Sequence, residues 1–126
     1  MNALCGRAYY GNVAGRVTIN GIEAKIEDYS SIIGFVTQDD IMYTTLTVKE
    51  NLVFSGKLRL PRGTTSEYIN ELADDVMADL GLTRVAKSIV AGVNNNHISG
   101  GEKKRVNIGL ELMSKPSVLL LDEPTR

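Results

Sequence analysis

Two stretches of the chain hold residue types that act on charged oxygen. The first is Asp122-Glu123, a pair of carboxylates that follows the apolar run Val118-Leu119-Leu120-Leu121. Adjacent acids leaving a strand point in different directions, so one can face a metal ion while the other accepts a proton from an attacking water. The second is Ser99-Gly100-Gly101-Glu102, followed at once by Lys103-Lys104-Arg105. A hydroxyl, two backbone amides that no side chain shields and a helix N-terminus are the parts of an anion site. Three cations beside the positive end of a helix dipole are unfavourable unless an anion is meant to sit there. Each stretch also has a plainer reading. Asp122-Glu123 can be an acidic turn before Pro124, and Ser-Gly-Gly can be a turn that caps a helix with a solvated basic first turn.

The elements that must position these residues alternate between sheet and helix signals. Val118 to Leu121 is uninterrupted and apolar, the pattern of a strand covered on both faces in a parallel sheet, where ligands collect at the carboxyl ends of the strands. Ile32-Ile33-Gly34-Phe35-Val36 is a second such strand and delivers Gln38-Asp39-Asp40 to its own carboxyl end. Val17 to Ala24 alternates around Asn20-Gly21, which predicts a tight hairpin. Met1 to Cys5 reads as the tail of a helix closed by Gly6. Thr47-Val48-Lys49-Glu50 is a capping box that opens a helix, and Pro61 stops it. Ile69, Leu72, Ala73, Val76 and Leu80 form one helical stripe ending at Gly81. After Ser99, Val106, Leu110 and Met113 share a helix face, with Ile108 and Leu112 on another. Asn94-Asn95-Asn96 is a short polar loop, and His97 reads as a loop residue.

With 126 residues the chain is one domain's worth, enough to bury roughly two-thirds of its unfolded surface. Fourteen Lys and Arg against 15 Asp and Glu give a net charge of -1, which argues against a broad polyphosphate-binding surface and hence against nucleic acid as a partner. Cys5 stands alone, so no intrachain disulfide forms and a reducing compartment is expected. No stretch approaches the roughly 20 apolar residues that cross a bilayer, and the first residues lack the features of a secretory leader.

The order of parts carries a resemblance. Gln38 at a strand end, a helical insert, Ser-Gly-Gly-Glu on a helix and a strand ending Asp-Glu-Pro-Thr resemble the nucleotide-binding domain of ATP-binding cassette proteins. "GFVTQDD", "TVKENL", "ISGGEKKRVNIGLEL" and "LLLDEPT" are most similar to the G subfamily of transporters. The resemblance covers nearly the whole chain and implies an α/β fold, a partial P-loop NTPase sheet core with an inserted all-α signature subdomain. Residues 1–40 and 115–126 would belong to the ATPase core and 41–114 to the helical part. It implies ATP and Mg2+ as cofactors. Gln38 and Asp122 would face the metal, Asp122 through water, and Glu123 would be the general base. Ser99, Gly100, Gly101 and Glu102 would bind the γ-phosphate of ATP held by a second nucleotide-binding domain, paired head to tail as a homo- or heterodimer. The transmembrane domain of the same transporter is the other implied partner, and the cytoplasmic face of a membrane the implied location.

Other readings stand beside an exporter's ATPase. A soluble chromosome-maintenance ATPase shares the signature, but there long coiled coils separate the halves, whereas about 60 residues without sustained heptads join Gln38 to Ser99. A catalytically inactive truncated cassette that acts only as an interaction module is the alternative of a different class. Departures from the family pattern are Thr37, where relatives often have proline, the polar Asn94-Asn95-Asn96, and Arg126, where the G subfamily usually has serine. The Gly-x-x-x-x-Gly-Lys-Ser/Thr loop that cradles phosphates does not occur in these 126 residues, and the switch histidine would follow Thr125. The expectation is therefore an internal fragment of a larger domain, with strand edges open to self-association. The 126-residue polypeptide by itself should neither bind ATP tightly nor hydrolyse it, and micromolar affinity by calorimetry would contradict this.

Overall fold

The computed structural model describes residues 2–5, 14–39, 41–91 and 97–122. Gly6, Asp40, Asn94-Asn95-Asn96 and Glu123 to Arg126 lie outside them. Asn2–Cys5 forms a single 3-10 turn rather than the end of an α-helix. A four-residue piece closes few i to i+4 bonds, and tighter turns are used at such lengths.

The predicted hairpin is present but short. Strands β1 (Thr18–Ile19) and β2 (Ile22–Glu23) pair antiparallel, Thr18 opposite Glu23 and Ile19 opposite Ile22. Asn20 at φ 51° and Gly21 at φ 82° supply the two left-handed residues that a type I′ turn requires. The Ala24 amide extends the ladder by donating to the Val17 carbonyl at 3.0 Å.

A 3-10 segment, Ile26–Ile32, leads into strand β3 (Ile33–Val36). Ile32, expected inside the strand, instead ends the 3-10 segment, yet its carbonyl accepts from the Ser117 amide at 2.9 Å and so starts the next ladder. That ladder joins β3 to β4 (Val118–Leu121) in parallel, Ile33 opposite Val118 through Val36 opposite Leu121. The two strands are not equally covered. Phe35 and Val36 are buried, whereas Val118 is 47% exposed and Leu119 to Leu121 are half-buried. The reading of β4 as covered on both faces is corrected accordingly. Unbroken apolar runs report suitability for burial, and among the described residues β4 has a single strand neighbour.

Between β3 and β4 the described residues include three helices, one 3-10 turn at Thr83–Val85 and two isolated β-bridges. Helix α1 (Val48–Arg59) starts in the predicted capping box, with the Thr47 hydroxyl accepting from the Glu50 amide and the Glu50 carboxylate accepting from the Thr47 amide. Its C-cap is Leu60, directly before Pro61. Helix α2 (Ser66–Asp79) is capped by Thr65 and closed by Leu80 and then Gly81 at φ 65°. Ile69, Ala73 and Val76 of the predicted stripe are buried, with Leu72 and Leu80 at its margin. Helix α3 (Gly100–Leu112) buries Val106, Leu110 and Met113 on one face, as expected. These faces meet in one core, centred on the fully buried Leu52, Leu82, Val106 and Met113.

The helices touch closely at glycine. A Cβ on Gly109 of α3 would stand 2.9 Å from Leu52 of α1, 3.2 Å from Leu80 and 3.4 Å from Val76. Ser55 strengthens the same contact by donating its hydroxyl to the Leu110 carbonyl at 2.9 Å. Because two packed side chains, Leu52 and Leu80, must give at once, Gly109→Ala should destabilise the protein by about 1–3 kcal/mol despite alanine's better helix propensity. Thermal melting checks this, and an unchanged or raised Tm would contradict the packing described.

Candidate functional site

The parallel ladder sets the first half of the site. The Asp122 amide donates to the Val36 carbonyl at 3.0 Å, continuing the pairing one residue beyond β4. Gln38 leaves β3 two residues after Val36, so Gln38 and Asp122 emerge from the same carboxyl edge of adjacent parallel strands. Open α/β sheets bind ligands at such edges. One carboxylate and one amide oxygen are hard donors, and Mg2+ is held by few protein oxygens together with phosphate and water. The donor set therefore fits Mg2+ with a phosphate ligand. Among the described residues, no three His, Cys, Asp or Glu side chains converge on a metal-binding point. Glu123, the expected general base, lies outside them.

The second half is the start of α3. Ser99 is its N-cap, and the expected anion-binding residues turn out to bind one another. The Ser99 hydroxyl accepts from the Glu102 amide at 3.3 Å and donates to the Glu102 carboxylate at 2.7 Å. The Ser99 amide donates to the same carboxylate oxygen at 2.7 Å. This is a complete capping box, of the same S/T-x-x-E form as the one at Thr47. The spacing that identified Thr47 and Glu50 was equally legible here. The plain helix-cap reading of Ser-Gly-Gly thus describes the bonds made. Gly100 has open space around it, and the nearest atom to a Cβ on Gly101 would be an Arg105 guanidinium nitrogen at 3.8 Å.

The three cations do not act alike. Lys104 Nζ donates to the Gln38 carbonyl at 3.0 Å and to the Thr37 carbonyl at 3.3 Å. The reading of all three as a patch awaiting an anion is corrected for Lys104, because a lysine five residues into the helix points along its side, towards the segment after β3. The site also contains residues that the motifs did not flag. Asn107 is buried; its Nδ2 donates to the Asp39 carbonyl at 3.3 Å and its Oδ1 accepts from the Ile41 amide at 3.4 Å. Glu111 Oε2 accepts from the Phe35 amide at 3.2 Å, while its Oε1 pairs with Arg59 at 2.5 Å. A polar residue at helical spacing from Lys104 was the available signal, but such positions ordinarily face water. His97 is exposed, and its backbone bridges Ile89, which also bridges Thr47, so the approach to Ser99 is tied to the N-cap of α1.

Comparison with known proteins gives the class. The sequence model of the family described as ABC transporter matches residues 1–126, and the chain belongs to that family. Its relatives narrow this to the G subfamily. It is 45% identical over 125 residues to ABC transporter G family member 28 of Arabidopsis thaliana, covering 99% of this chain and 11% of that protein. It is 46% identical over 129 residues to G family member 21 of the same plant, covering 99% of this chain and 18% of the relative. Against the broad substrate specificity ATP-binding cassette transporter ABCG2 of Rattus norvegicus it is 42% identical over 125 residues, again 99% of this chain and 19% of the relative. The chain thus spans a fifth or less of the length of these relatives. No described helix is long and apolar enough to cross a membrane.

The cap at Ser99 titrates. Its two hydrogen bonds, the hydroxyl's and then the amide's, hold the Glu102 carboxyl below the ordinary value of 4.5, helped by Arg105. A depressed folded value means that the stabilisation is complete above pH 4.5 and lost as the pH falls through the folded value beneath it. Protection of the Glu102 amide, corrected for intrinsic exchange rate, should be flat above pH 4.5 and fall below it, and Glu102→Gln should abolish the dependence. Protection unchanged by acid would contradict the capping geometry.

Proposed function

We propose that the chain is part of the ATP-binding and hydrolysing unit of a G-subfamily exporter, in which nucleotide turnover drives transport across a membrane. The observation that carries this is the parallel register of β3 and β4, with Gln38 and Asp122 leaving one sheet edge. In this reading Gln38 and Asp122 would hold Mg2+, which would supply positive charge against the phosphates of ATP. Glu123 orients and deprotonates the attacking water. Ser99, Gly100, Gly101 and Glu102 meet the γ-phosphate of a nucleotide carried by a second nucleotide-binding domain, facing this one head to tail. The amide-rich N-terminus of α3 supports that role, once Glu102 yields its hydrogen bonds.

Residues 41–114 act in this reading as a subdomain inserted between the two parts of the sheet, 1–40 and 115–126, a reading supported by helices α1 to α3 and the core they share. Membrane association follows from the relatives, which are transporters by name. The unit would sit on the cytoplasmic face against the transporter's transmembrane domain. Those names also favour a transporter over a chromosome-maintenance ATPase.

The test uses the longest natural polypeptide that contains this sequence, in membranes. Glu123→Gln should lower ATP turnover by about 10²–10⁴-fold while ATP binding persists, the loss associated with a general base. Turnover at the unsubstituted rate would overturn the assignment.

A further inference from the structure

Lys104, Asn107 and Glu111 lie three and four residues apart and so share one side of α3. Together they hold five main-chain groups of the segment that runs from β3 past Gln38: the Phe35 amide, the carbonyls of Thr37, Gln38 and Asp39, and the Ile41 amide. A chain leaving a strand loses its ladder partners, and its polar groups must find others. Here one helix reaches all five, and the Thr37 hydroxyl is a second donor to the Asp39 carbonyl at 2.9 Å. That helix begins at Ser99, roughly 7 Å along its axis from Lys104 at 1.5 Å per residue.

We propose that Lys104 is a positioning residue, which fixes the main chain of Gln38 against α3 so that the glutamine and the Ser99–Glu102 turn move as one piece. An ammonium group has three donors, and two are directed at these carbonyls, so its charge serves the protein's own backbone ahead of any anion. Asn107 and Glu111, both buried, hold the flanking positions, and Lys104 holds the Gln38 carbonyl itself. The magnesium consequence rests on the function proposed above, whereas the mechanical one does not.

Two readouts separate them in the full-length protein. Lys104→Met keeps the aliphatic stem and removes the donors, and Lys104→Arg restores donors. Without nucleotide, Lys104→Met should speed hydrogen exchange at the Ile41 amide about three- to tenfold, the effect of losing a hydrogen bond or two, with Lys104→Arg close to the unsubstituted protein. In ATPase assays Lys104→Met should raise the Mg2+ concentration for half-maximal rate several-fold while leaving the KM for ATP at saturating Mg2+ unchanged. In a Gln38→Ala background it should add nothing. Unaltered exchange at Ile41 would overturn the proposal. A raised KM for ATP with no shift in Mg2+ dependence would also overturn it, and would return Lys104 to nucleotide binding. If the unsubstituted protein hydrolyses no ATP, the functional reading fails, and the exchange rates alone decide the role of Lys104.

Discussion

The candidate site depends on the register between β3 and β4. Parallel strands cannot be joined by a hairpin, and their connection must cross back over the sheet. Here the connection is long and helical, so the entropy of closing it is offset only if the intervening chain packs on its own account. It does so through Leu52, Leu82, Val106 and Met113, with Gly109 allowing α3 to lie close against α1. A one-residue slip of β4 would put Asp122 on the wrong side of the pleat and separate it from the direction in which Gln38 leaves. The helical core and the sheet edge are thus parts of one constraint. The core holds α3, and α3 holds the segment beyond β3 from which Gln38 projects.

Helix α3 meets two demands at opposite places. Its N-terminus is closed by the Ser99–Glu102 box, which satisfies amides that would otherwise need water or a ligand. Its flank, through Lys104, Asn107 and Glu111, satisfies the main chain around Gln38. The Glu102 carboxylate takes the Ser99 amide and hydroxyl, so the first turn of the helix is tied to its own N-cap residue.

Much of this was legible from local chemistry. Asn20-Gly21, Thr47 with Glu50, Pro61 and Gly81 each dictate backbone geometry within a few residues, and each marks the element expected of it. The apolar face of α3 followed from spacing. Ile32 and the first residues did not, because the border between 3-10 and extended backbone is set by contacts such as Ser117 on the Ile32 carbonyl. The exposure of β4 was hidden for a related reason, since an apolar run carries no count of its neighbours. At the candidate site, the place of Gln38 and Asp122 at adjacent strand ends was legible from the apolar runs before them. Asn107 and Glu111 were not, because their partners lie 52 or more residues away and a polar residue on a helix flank reads as solvated. Lys104 was misassigned because charge beside a helix N-terminus suggests an anion until the neighbouring carbonyls are known.

The most direct measurement of the shared sheet edge is metal affinity. Mn2+ binding in the presence of ATP, followed by electron paramagnetic resonance on the full-length protein, should weaken about 10–100-fold in Asp122→Asn if the proposed metal role of Asp122 holds. Unchanged Mn2+ affinity would contradict a metal site at the ends of β3 and β4.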